Sequence, residues 1–182
     1  MPTLEQTSVP AWAVATAGMP LDRVAARAAL VTFASDQEPR RTWGQELDHA
    51  GIPYDLIDLS EASKADIRQA VGLLIDSASV GFRLMLHGPL APVLAARAAA
   101  LEHSLLDEEI IVCTTEVSEI PLYCVHCTGE SVVRAAIDDV VTCLHCGTDL
   151  LVYYHVSRRQ GSFLGFKHDA EAYELTGAGE AA

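Results

Sequence analysis

At 182 residues the chain has room for one medium domain or two small ones. Half of its residues are hydrophobic, which excludes a disordered chain, and a net charge of −13, from 25 acidic and 12 basic residues, repels polyanions and argues against nucleic-acid partners. No run of about 18 apolar residues occurs, and residues 1–20 lack a basic segment, so a cytoplasmic protein with no membrane partner is expected.

Residues 1–20 are expected to form a flexible lead. Ala29 to Ser35 (ALVTFAS) reads as a buried strand, and Arg40 to Ala50 as a short helix with Trp43 and Leu47 on one face, stopped by Gly51. The pattern repeats with the strand Tyr54 to Leu59 and a helix whose apolar stripe is Ile67, Val71, Leu74, Ile75 and Ala78, capped by Ser63 and ended by Gly81. A third unit follows: strand Phe82 to Leu86, the turn His87-Gly88-Pro89, and a helix with Leu90, Val93, Leu94, Leu101 and Leu105 on one face. The strand Glu109 to Thr114 closes the series. Strands alternating with helices imply a parallel sheet covered on both faces, a Rossmann-like three-layer α/β domain over 21–116.

From about Ser118 the pattern changes to short β runs, IPLYC, SVVRAAI, VVTC and LLVYYHVS, separated by turn dipeptides. Residues 117–175 are therefore expected to form a small β-rich domain, and 176–182, rich in Gly and Ala, a disordered tail.

Four of the five cysteines stand in two CxxC pairs, Cys124/Cys127 and Cys143/Cys146, with fifteen residues between the pairs. Two thiolates separated by two residues fit one tight turn and two corners of a tetrahedron, and a second such turn supplies the other two, the arrangement of a four-cysteine zinc ribbon. Iron in a rubredoxin-like site uses the same thiolates, and spacing does not separate the two metals. Gly147 is expected to close the second turn at positive φ. His126 and His145 lie between the ligands and are expected to be exposed or to donate hydrogen bonds behind them. Cys113, alone in an apolar run, reads as a small buried hydrophobe. A closed four-thiolate site leaves no coordination position for substrate.

No nucleotide loop accompanies the α/β pattern. Ser35-Asp36-Gln37-Glu38-Pro39, after the first strand, has no glycine, and its acidic side chains repel phosphate. His87-Gly88-Pro89 resembles the turn in the nicotinamide-binding half of ferredoxin-reductase-type enzymes, but a Gly-Pro turn into a helix accounts for it without a cofactor. Asp138-Asp139 and Asp107-Glu108-Glu109 read as a turn and a solvated helix end. Ser157-Arg158-Arg159 offers cations to a carboxylate, a phosphate or an acidic partner.

The stretch from Leu122 through both cysteine pairs to Tyr153-Tyr154-His155-Val156-Ser157-Arg158-Arg159-Gln160-Gly161-Ser162-Phe163-Leu164-Gly165-Phe166 resembles the C-terminal domain of the small, DmmA-like subunit of bacterial dimethylamine monooxygenase. The resemblance implies a multi-subunit, haem-dependent enzyme that uses NADPH and O2 to convert dimethylamine to methylamine and formaldehyde. It places the haem on an oxygenase subunit, and the flavin and iron–sulfur centres on a reductase subunit. This chain has no ferredoxin-type cysteine run and no flavin or haem motif, so the resemblance makes it an accessory, non-catalytic subunit that helps assembly or electron transfer. The alternatives are an independent rubredoxin-like iron carrier and a zinc-ribbon adaptor. Tyr153, Tyr154, Arg158, Phe163 and Phe166 are the expected partner interface, being of the types enriched in interface cores. Strand alternation cannot bury both Tyr153 and Tyr154, so at least one is expected to be free to meet a partner.

Overall fold

The computed structural model describes residues 6–16, 18, 20, 24–34 and 38–168. Four parallel strands, β1 (Arg27–Thr32), β2 (Tyr54–Asp58), β3 (Phe82–Pro89) and β4 (Ile110–Glu116), form a sheet of order β2-β1-β3-β4. Their connections carry three helices, α1 (Glu38–Ala50), α2 (Lys64–Asp76) and α3 (Leu90–Glu102). Side chains alternate across a strand, and the core divides accordingly. Ala28, Leu30, Met85 and Ile111 pack on Trp43 and Leu47 of α1. Ala29, Val31, Leu84, Leu86 and Val112 pack with Ile67, Val71 and Ile75 of α2 and Val93 and Ala96 of α3.

Ser63 caps α2, accepting from the Asp66 amide while the Asp66 carboxylate accepts from the Ser63 amide, a reciprocal box that satisfies two amides at the helix start. α2 ends at Asp76 with Ser77 as its C-cap, so Gly81 opens the following strand instead of closing the helix. The expected turn at His87-Gly88-Pro89 lies inside β3, because β4 extends far enough to pair with it: His87 is in register with Cys113 and Gly88 with Thr114. Pro89, which has no amide to donate, ends the strand and caps α3. The first strand stops at Thr32, and the phosphate-loop reading falls partly on residues 35–37, outside the described residues, as do 169–175 and the expected tail 176–182.

The second sheet contains β5 (Glu119–Cys124), β6 (Glu130–Arg134), β7 (Val140–Thr142), β8 (Asp149–Ser157) and β9 (Ser162–Lys167) in the order β6-β5-β9-β8-β7. All pairs are antiparallel except β5 with β9. Only residues 117 and 118 separate it from β4. Its inner face, with Ile120, Leu122, Leu150, Val152, Val156 and Phe163, closes over Leu90 and Leu94. α3 is thus covered by one sheet on each side, and residues 93–100, Arg97 included, are all buried. Its run of alanines allows both layers to approach. Arg97 is neutralised by a two-pronged pair with Asp107, both bonds 2.8 Å, and stacks over Trp12.

Part of the described lead packs on the body of the chain. Val9 and Ala13 are buried in the second core, and the Thr114 hydroxyl donates to the Trp12 carbonyl. Among the described residues no helix is long and apolar enough to cross a membrane.

Candidate metal centre

Two hairpin ends build the site. The first cysteine pair closes the turn from β5 to β6, and the second closes the turn from β7 to β8. The turns repeat each other bond for bond. The Cys124 amide donates to Gly129 O at 2.9 Å and the Cys143 amide to Thr148 O at 2.8 Å; the Thr128 amide donates to Cys124 O at 2.9 Å and the Gly147 amide to Cys143 O at 3.0 Å. In each turn the residue after the second cysteine adopts positive φ, +62° at Thr128 and +73° at Gly147. Glycine meets this need at the second turn without strain. At the first turn a β-branched residue accepts it, with its hydroxyl donating to Cys127 O at 2.6 Å.

The fold brings all four sulfur atoms within 4.8 Å of one another. Cys124 Sγ lies 3.9 Å from Cys146 Sγ, and Cys127 Sγ lies 3.7 Å from Cys143 Sγ. A tetrahedron with metal–sulfur bonds of about 2.3 Å has edges of about 3.8 Å, so the residues fit a four-thiolate metal ion. Cys124 and Cys143 are buried, Cys127 is half-buried and Cys146 is exposed. The metal-free thiols are unequal. Thr148, through its hydroxyl and then its amide, with His126 and Cys127 adding, pulls Cys146 down to about 5. At Cys127 the Gly129 amide favours the thiolate but is outweighed by burial and by the neighbouring thiols, which push it up to about 12. A dication resolves this conflict, because it favours the thiolate at all four corners.

The two histidines act behind the ligands. His126 stands on the side of the Cys146 sulfur and helps to favour its thiolate. His145 Nε2 donates to Glu130 O at 2.9 Å, tying the second turn to the strand that leaves the first. The parallel between C-V-H-C-T-G-E and C-L-H-C-G-T-D was the signal for these supporting positions, Thr128, Gly129, Glu130 and Thr148, which spacing alone overlooks.

The remaining candidates are dispersed. Phe163 is 1% exposed and belongs to the core under α3, so its expected place at a partner surface is corrected: β9 turns it inward opposite Val156. Arg158 pairs with Asp107, the same carboxylate that holds Arg97. Tyr153 is exposed and Tyr154 half-buried, and neither points into the core. The cause is an irregularity in β8. Val152 faces Gly165 while Val156 faces Phe163, so two extra residues on β8 are accommodated between these pairs. The Tyr153 ring packs on Tyr154 at 5.0 Å and edge-on to the exposed Phe166 at 5.2 Å. Phe166 in turn stands in register with Leu151, and Leu151 with the exposed Val140. Cys113 is half-buried beside β3, and Asp138 occupies a turn at positive φ.

Residues 121–166, which span both turns, match the family described as dimethylamine monooxygenase subunit DmmA-like, C-terminal domain. Over 142 residues, 78% of this chain and 79% of the other, the chain is 32% identical to the heme-dependent oxidative N-demethylase delta subunit of Ectopseudomonas mendocina (strain ymp). No solved structure matches the chain.

Proposed function

The chain belongs to the DmmA-like family of oxidative N-demethylase subunits, and from that premise we propose that it is a non-catalytic, metal-stabilised subunit of a haem-dependent dimethylamine monooxygenase. Its partners are a haem oxygenase subunit and a flavin and iron–sulfur reductase subunit that takes electrons from NADPH. The complex converts dimethylamine to methylamine and formaldehyde in the cytoplasm. In this reading residues 21–116 are a Rossmann-like layer that serves assembly, and residues 117–175 are a zinc ribbon.

The observation that carries the reading is the closed cysteine tetrad inside the family-matched stretch. Four thiolates at tetrahedral spacing saturate the ion, so Cys124, Cys127, Cys143 and Cys146 hold structure and offer no position to amine or oxygen. Zinc is the metal this role requires. Iron in the same site would make the chain an electron carrier, and a visible absorption spectrum of the purified protein separates the two.

The partner face is the aromatic patch of Tyr153, Tyr154 and Phe166, extended by Leu151 and Val140. It lies on the side of the second sheet turned away from α3, where large apolar groups are exposed without a cover among the described residues. Tyr153→Arg with Phe166→Glu is expected to weaken binding to the co-expressed haem subunit by at least about 30-fold, the loss of one aromatic hot spot, with metal content unchanged. Binding as tight as wild type in a titration of purified subunits would place the interface elsewhere.

A further inference from the structure

We propose that metal occupancy is relayed from the cysteine centre to the α/β layer through His145, Glu130 and Lys64. This rests on the reading of the four cysteines as a metal centre. The imidazole of His145, which lies between two ligands of the second turn, crosses to the first turn over Gly129. A Cβ at that glycine would stand 2.5 Å from the ring, so the glycine is the seat of the histidine. Nε2 carries the proton, because its partner, the Glu130 carbonyl at 2.9 Å, only accepts.

Glu130 then leads outward. Its two carboxylate oxygens accept from Lys64 Nζ at 2.5 and 2.7 Å, and the same ammonium donates to Gln160 O at 2.9 Å. Its three donors therefore meet three acceptors, two from the start of β6 and one from the turn between β8 and β9. Lys64 is the first residue of α2, directly after the Ser63 cap. The start of one helix in the α/β layer thus registers the position of two separate parts of the second sheet. Lys64 and Glu130 also form one wall of a cavity of about 350 Å³ between the layers, whose other walls include Phe33, Leu59, Pro92 and Pro121.

The metal is what fixes the first link. With four sulfurs on one ion, the two turns hold a constant separation and the His145 to Glu130 bond is kept at length. With the ion removed, no bond through the sulfurs ties one turn to the other. The consequence is a second sheet whose metal state sets how firmly the first turns of α2, and the cavity wall beside them, are held.

Hydrogen exchange of the full-length, metal-loaded chain tests the relay, with metal content measured in each sample. His145→Ala and Lys64→Met are each expected to speed exchange of the α2 amides 67–71 about fivefold, the loss of one net hydrogen bond. The double variant should add nothing to either single change, since both cut the same path. α3, which packs on the second sheet through Leu90 and Leu94, should stay protected in all three. Chelation of the wild-type protein should raise exchange in α2 at least as far as the single variants do, together with exchange in the second sheet and in α3, which lose their mutual cover when the metal leaves. Unchanged α2 exchange in His145→Ala at full metal content, or additive effects in the double variant, would overturn the relay and leave the metal centre standing. A wild-type chain with no bound metal would overturn both.

Discussion

Replacing Cys143 with alanine is expected to abolish metal binding and to unfold the second sheet. Cys143 is buried among Cys124, Leu150 and the inner face of that sheet, and its sulfur lies 3.7 Å from Cys127 Sγ. Its amide also closes the second turn on Thr148 O, so the backbone is organised around it. A structural zinc ion supplies on the order of 10 kcal/mol of folding free energy, comparable with the whole stability of a typical domain, about 5–15 kcal/mol. Five short strands around a small core do not replace it. The damage extends beyond the turns, because Leu90 and Leu94 of α3 lose their cover when the sheet melts. Elemental analysis should fall from about one metal per chain to none, and thermal unfolding monitored by circular dichroism should begin at a much lower temperature. A variant that keeps its metal and its melting curve would show that Cys143 is not a ligand.

Phe163→Ala should cost about 3–5 kcal/mol of stability, whereas Tyr153→Ala on the neighbouring strand should change it by less than about 1 kcal/mol. Phe163 is among the largest side chains buried below 2% exposure, and it fills the space between β8 and α3. Alanine there leaves a cavity bounded by Leu90, Leu94, Val156 and Ile120, all held by the two sheets and unable to collapse far. Tyr153 is 43% exposed, and its ring packs on half-buried Tyr154 and exposed Phe166 outside the core. Urea unfolding of the two variants measures the difference. A Phe163→Ala cost as small as that of Tyr153→Ala would mean that the sheet does not pack on α3 as described.

Those two aromatics also show what the chain's pattern could reveal. The alternation of strands and helices through residue 116, the Ser63 cap and the cysteine tetrad were all legible, because each depends on local spacing: two for a strand, 3.6 for a helix, and a short turn that brings two thiolates together. The role of Phe163 was not. An even count along β8 keeps both Val152 and Val156 inward, but the two extra residues between their partners leave Tyr154, the position between them, outside the core. α3 reads from sequence as a one-sided helix, since a row of alanines looks neutral until a second sheet is found against it. Arg158 looked available as a cation, but Asp107 claims it, and that pairing joins residues 51 positions apart. The proposed relay from His145 to Lys64 was hidden for the same reason: the histidine is expected from sequence to be exposed or to donate behind the ligands, but its partner is a backbone carbonyl that no residue type announces.

The proposed function makes this chain a metal-holding, non-catalytic member of a haem-dependent N-demethylase complex. Native mass spectrometry of the complex purified from cells co-expressing the oxygenase and reductase subunits tests it most directly. The expected assembly contains this chain with about one zinc per copy, alongside a partner that carries the haem. An assembly of the haem and reductase subunits that excludes this chain, with the chain alone in solution, would contradict it.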